Sequence, residues 1–187
     1  MKKRCFIFIP LIIISLLFIG CSTNNSASEY KTYKNKDISF IYPSSWIKVD
    51  PKKLDINPTP VFFLASPDEE DNANINLTVS ESPLLAPSAE EQVEDLVHHY
   101  EMFGKSYGIK EYKKISFKKL KIGEFNAGIL AGELTFSQVD LTVLNAQLII
   151  PIGSKTYCLT ATCKKDKWEK YSPVFREILA SVKLVDN

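Results

Sequence analysis

A chain of 187 residues with 23 basic and 22 acidic side chains carries a formal net charge of +1. Three of the basic residues and none of the acidic ones fall in the first 20 positions, so the remainder carries −2, which excludes generic attraction to nucleic acid. The roughly 150 residues that follow a short polar segment are enough for one domain with an adequate core.

Lys2, Lys3 and Arg4 open the chain, and Phe6 to Ile19 is an apolar run broken by Pro10 and Ser15. As a helix this run rises only ~21 Å, short of a ~30 Å hydrocarbon core, so residues 1–20 read as a secretory signal rather than a membrane span. The run ends in "LLFIGC", which resembles the bacterial lipoprotein signal. In that signal a small residue marks the cut and the next residue, a cysteine, takes a diacylglyceryl group. The resemblance implies cleavage between Gly20 and Cys21, acylation of Cys21, and a protein held on the extracytoplasmic face of the cell membrane. Two acyl chains hold stably where one does not.

Residues 21–37 have no apolar pattern and many Ser, Asn, Thr and Lys residues, so they read as a flexible tether, and residues 38–187 as the domain. Ile38, Phe40 and Tyr42 alternate into Pro43, which ends a strand. "VFFLAS" and "NINLTVSES" are two more strands, the second alternating Ile75, Leu77 and Val79 with Asn76, Thr78 and Ser80. Ser88 and Glu91 predict a capping box. Val93, Leu96, Val97, Tyr100 and Phe103 then recur at helical spacing up to Gly104. Strands are predicted from Lys110 to Leu120, Phe125 to Phe136, Leu141 to Ile150 and Thr156 to Cys163, with turns at Gly123, at Gln138 to Asp140 and at Gly153-Ser154. A last helix is predicted with Ser172 as cap and Pro173 at its first position. The pattern predicts an α+β fold, a central antiparallel sheet on which two amphipathic helices bury their stripes.

Most chemistry-bearing strings read more simply as structure. "GKSYG", Gly104 to Gly108, has nucleophile-elbow spacing. However, it follows a helix instead of a strand, and the only histidines, His98 and His99, precede it. Those histidines diverge by ~100° on their helix and make a poor metal pair. Asp68, Glu69, Glu70 and Asp71 lack the ligand spacing that wraps calcium and read as a polar hairpin tip. "GEFNAG" lacks the Lys and Ser/Thr of a phosphate loop. Cys158 and Cys163 lie ~16 Å apart along one strand, too far for a bridge unless the chain turns between them. Tyr42, Trp46, Trp168, Phe175 and Ile178 read as core, with a pocket lined by Tyr42 and Trp46 as the alternative. The lysines of "KEYKKISFKKLK", above all Lys113, Lys114, Lys118 and Lys119, mark either a soluble edge strand or a surface for an anionic envelope partner.

Taken in order, "ISFIYPSSW", "NINLTVSES", the capped helix after "APSAEEQVEDL", "LKIGEFNAGILAGEL", "GSKTYCLTATC" and "FREILASVKL" resemble the PsbP-like domain family, which includes DcrB-type bacterial lipoproteins. The resemblance implies an α/β/α sandwich and a non-enzymatic binding or assembly module, with no shared catalytic residue and no cofactor. The expected function is thus a lipid-anchored module contacting a protein or envelope partner. The alternative is a surface carrier for a small molecule or metal.

Overall fold

Alternating apolar residues dominate the chain beyond residue 37, and in the structure, a computed structural model describing residues 30–54 and 58–185, they are built into ten strands and two helices. Gly20, Cys21 and the signal lie outside the described residues.

The main sheet has seven strands, all antiparallel: β3 (Ile47–Lys48), β4 (Phe62–Ala65), β5 (Asn74–Glu81), β6 (Ile109–Ile122), β7 (Phe125–Phe136), β8 (Leu141–Ile152) and β9 (Lys155–Lys164). Their spatial order is β3-β4-β5-β9-β8-β7-β6. The tight reversals fall at Gly123 (φ 59°) and Gly153 (φ 61°), where only a glycine turns the chain without strain.

A smaller sheet joins β1 (Tyr30–Lys34), β2 (Ile38–Pro43) and β10 (Lys183–Leu184), with β2 in the middle. The first of these corrects the expected tether. Tyr30–Lys34 pairs antiparallel with β2, Tyr30 opposite Pro43 and Lys34 opposite Ser39, and Tyr33 stacks on Phe40 at 4.9 Å. The segment is polar in composition, but Tyr33 packs on Phe40 and Phe62, and that one apolar contact seats it.

One helix lies on each face of the main sheet. On one face, helix α2 (Trp168–Ala180) buries Tyr171, Phe175, Ile178 and Leu179 against Ile75, Leu77, Leu148, Ile150, Leu159 and Ala161. Trp46 stands edge-on to Tyr171 and Phe175 at 6.1 Å each, and Tyr42 meets Phe62 at 5.4 Å, so aromatic rings fill the space where a Tyr42–Trp46 pocket was the alternative. On the other face, helix α1 (Ala89–Phe103) seats Ala89 and Val93 on Leu130 and Ile149. Its predicted capping box is present: Glu91 N–H donates to Ser88 Oγ at 3.2 Å and Ser88 N–H to Glu91 Oε2 at 2.8 Å.

Helix α2 starts earlier than predicted. A one-turn 3-10 helix, Lys165–Lys167, leads into it, Ser172 caps nothing, and Pro173 lies inside the helix. Burial of Tyr171, and the packing of Trp168 on Phe175 at 5.9 Å, outweighs the local preference of Pro for a first turn.

Candidate binding site

The two faces of the main sheet are chemically unlike. Strand alternation puts Ile75, Leu77, Leu148, Ile150, Leu159 and Ala161 toward α2, so the intervening residues point toward α1, and many of these are polar. Register lines them up in rows across the strands: Asn76 opposite Thr160 opposite Gln147, and Asn74 opposite Thr162 opposite Asn145.

Helix α1 covers only part of this face. Beside it lies a recess of about 520 Å³, whose polar lining comes from the amides of Asn76, Gln92, Asn145 and Gln147 and the hydroxyls of Thr78, Thr160 and Thr162. Its apolar walls include Leu96, Tyr100, Leu134, Phe136 and Ile149. No charged side chain lines it among the described residues.

Two of the polar groups are unusual. Asn145 is 5% exposed and Gln147 9%, and Asn145 Oδ1 and Gln147 Oε1 are fully buried without a hydrogen-bond partner among the described residues. Leaving a buried acceptor unpaired costs on the order of 1–3 kcal/mol, so such groups in a recess are prepared for something that donates to them. Next to Asn145, Gly132 keeps the strand bare: a Cβ there would sit 2.9 Å from Asn145 Oδ1 and 2.9 Å from Tyr112 Oη. That phenol is also buried without a partner, and burial pushes its pKa up to about 12. Tyr112 in turn packs on Tyr100, ring centroids 4.6 Å apart. Burial also raises the pKa of the Cys158 thiol, so the one sulfur in the recess stays protonated.

Asn145, Gln147, Gly132 and Tyr112 are not among the residues that the sequence singles out. The available signal was in β8, where Asn145 and Gln147 interrupt an otherwise apolar run at a spacing of two. The same alternation in β5, with Asn76 and Thr78 on one side, reads as a solvent face. The structure makes part of that face the floor of a recess.

The structure places the other candidates as follows. Lys113, Lys114, Lys118 and Lys119 all lie on β6, the last strand of the sheet, but they divide between its two sides. Lys114 and Lys119 pair with Gly132 and Gly128 on the α1 side, whereas Lys113 and Lys118 pair with Glu133 and Ile129 on the α2 side. A register shift between Lys114 and Ser116 marks a bulge at Ile115. Lys119 Nζ meets Glu90 Oε1 at 2.6 Å, and Lys114 lies 5.8 Å from the centre of the Phe117 ring.

His98 and His99 are exposed on α1, and the ring of His99 lies 5.5 Å from that of Tyr107. Ser106 donates to the Phe103 carbonyl at 2.7 Å in the turn after α1, where it has no base. Cys158 and Cys163 are free thiols on opposite faces of β9. The acidic tip is tied to α2: Lys170 Nζ donates to Asp68 Oδ2 at 2.6 Å and to Asp71 Oδ2 at 2.7 Å, and Tyr171 Oη donates to Asp71 at 3.0 Å. Among the described residues no group of three His, Cys, Asp or Glu side chains is arranged to hold a metal, and no helix is long and apolar enough to cross a membrane.

No family model and no curated protein sequence matches the chain. Solved structures do match its fold. The cyanobacterial PsbP (CyanoP) of Synechocystis aligns with a TM-score of 0.64 at 16% identity, over 89% of this chain and 99% of that one. LpqN, involved in cell envelope biogenesis of Mycobacterium tuberculosis, aligns at 0.52 and 13% identity over 86% and 94%. The Ran-binding protein Mog1p of Saccharomyces cerevisiae aligns at 0.51 and 14% identity over 85% and 97%. The fold is therefore the PsbP-like α+β fold.

Proposed function

We propose that this protein is a lipid-anchored, extracytoplasmic binding module without catalytic chemistry, and that its ligand occupies the recess beside α1. The observation that carries the binding reading is the pair of buried carboxamides, Asn145 and Gln147, whose oxygens have no partner at the floor of an open recess. Neutral amides, hydroxyls and a protonated thiol supply neither an activated nucleophile nor a general base near neutral pH, which supports binding over turnover. They also make poor metal ligands, so the recess favours a small molecule over a metal cargo.

The anchor reading rests on the basic start, the apolar run and "LLFIGC". With β1 beginning at Tyr30, only the residues between Cys21 and Tyr30 separate acyl chains from domain, a root-mean-square reach of ~15 to 18 Å for a flexible segment. Cys21→Ala is expected to abolish acyl labelling and to shift the protein from the membrane to the soluble fraction; unchanged labelling and fractionation would overturn the anchor.

A second reading has an observation of its own. Strand β6 is 14 residues long, ends the sheet, and bears six lysines, a surface that suits an anionic envelope or protein partner held near the tether.

A further inference from the structure

We infer that the recess beside α1 takes a small uncharged molecule that presents hydroxyl or amide N–H donors from a body with one apolar face. The inference rests on the reading of this recess as a ligand site and names the chemistry that the site selects.

Three observations point the same way. First, the lining has hydrogen-bonding groups on three strands and α1 but no charge. A charged ligand would lose its hydration there with no counter-ion to replace it, and that penalty far exceeds the cost of seating a neutral group that is hydrogen-bonded. Second, the unpaired buried groups of the lining itself are acceptors, Asn145 Oδ1 and Gln147 Oε1; the unpaired Tyr112 phenol lies outside the lining. They come from alternate residues of β8 and so lie on the same side of the strand; both oxygens are fully buried, so two O–H or N–H donors on one ligand reach them when these carboxamides turn toward the recess. Third, the donor capacity of the rim is partly used already. Gln92 Nε2 donates to the Pro87 carbonyl at 2.7 Å and to Thr156 Oγ1 at 2.9 Å, which fixes its amide at the edge of the recess.

Opposite these polar groups, Leu96, Tyr100, Leu134 and Phe136 form an apolar wall, so a ligand that is polar all round is matched on one side only. A volume of about 520 Å³ fits a molecule of one to two sugar rings or a comparable amide.

The test is calorimetric titration of the purified mature acylated protein in detergent with four probes sharing one ring: N-acetylglucosamine, glucose, glucosamine and glucuronate. The two neutral probes are expected to bind at least tenfold more tightly than the cation and the anion. Glucose matching N-acetylglucosamine assigns the contacts to hydroxyl donors, and a preference for N-acetylglucosamine assigns one to the amide. Asn145→Leu and Gln147→Leu should each weaken the neutral probes at least tenfold. Because leucine at a buried polar site can disturb folding, Gln147→Glu is the second variant: it keeps the shape and the acceptor oxygens, and should gain affinity for glucosamine. Charged probes that bind the native protein as well as neutral ones would overturn the ligand class and leave the recess a ligand site. Binding of none of the four, or binding unchanged in all three variants, would overturn both.

Discussion

Asp71 shows how much of this fold depends on pairs far apart in sequence. Its carboxylate, 8% exposed, is held well below the usual carboxylate range, at about 2, first by the Lys170 hydrogen bond, against the opposing effect of burial, and with help from Tyr171 and Lys167. The folded pKa is lower than the ordinary 3.8, so the stabilisation is complete above about pH 4 and is lost as pH falls from there toward 2. Urea unfolding as a function of pH should show this acid limb in the native chain and a flatter one in Asp71→Asn; identical limbs would mean that Asp71 is not the group responsible. "PDEEDNAN" was legible as a polar tip, but its partners were not: Lys170 and Tyr171 lie 99 and 100 residues away, and only tertiary folding selects them. Asn145 and Gln147 are the reverse case, since two amides in an apolar strand are visible in the sequence although their role needs the sheet register.

Among the elements, α1 and α2 differ in what sets their ends. The start of α1 is written locally, because Ser88 and Glu91 satisfy each other's backbone N–H groups, and it was legible for that reason. The start of α2 is set by Trp168 and Tyr171 packing under the sheet, and the local signal, Ser172-Pro173, pointed five residues too late. The cost remains in the structure, since Pro173 has no N–H for the Glu169 carbonyl one turn back. Pro173→Ala is expected to stabilise the domain by about 1 to 2 kcal/mol, the recovered helix geometry exceeding the ~0.4–1 kcal/mol that proline contributes by restricting the unfolded chain. Equal or lower stability in denaturant unfolding would show that the turn has no such cost. The long strands β6 to β9 were legible because the turn signals that separate them, at Gly123, at Gln138 to Asp140 and at Gly153-Ser154, are local features. In contrast, β1 was read as tether, since Tyr33 is its single core contact among lysines and has no alternating apolar partner.

Taken whole, the molecule is a sheet with a dry face under α2 and a partly wet one under α1, ending in a lysine-bearing edge. The overall class was legible from the order of strands and helices, and the agreement with CyanoP in fold follows from that order at 16% identity. Which edge lysines share a side was not, because the bulge at Ile115 groups Lys113 with Lys118 and Lys114 with Lys119, where unbroken alternation would group Lys113 with Lys119. It refines the envelope reading into a test. In acyl-free Cys21→Ala protein, Lys113→Glu with Lys118→Glu should reduce binding to anionic phospholipid vesicles several-fold at low salt. The pair Lys114→Glu with Lys119→Glu should reduce it less, since Lys119 already faces Glu90 and Lys114 lies over Phe117. Equal effects, or none, would remove the α2 side of the edge as a contact surface.

The position of β1 also gives the molecule a mechanical weak point. Tyr30 lies opposite Pro43, at the end of the β1–β2 hairpin far from its turn, so a pull on the chain ahead of Tyr30 opens the hairpin one rung at a time instead of shearing all rungs together. If the chain is held through Cys21 as proposed, tension on the segment ahead of Tyr30 peels β1 first and adds several residues of slack, while β2, held by β10 and by Ile38 and Phe40 in the core, stays in place. The small sheet then yields before the main sheet takes load.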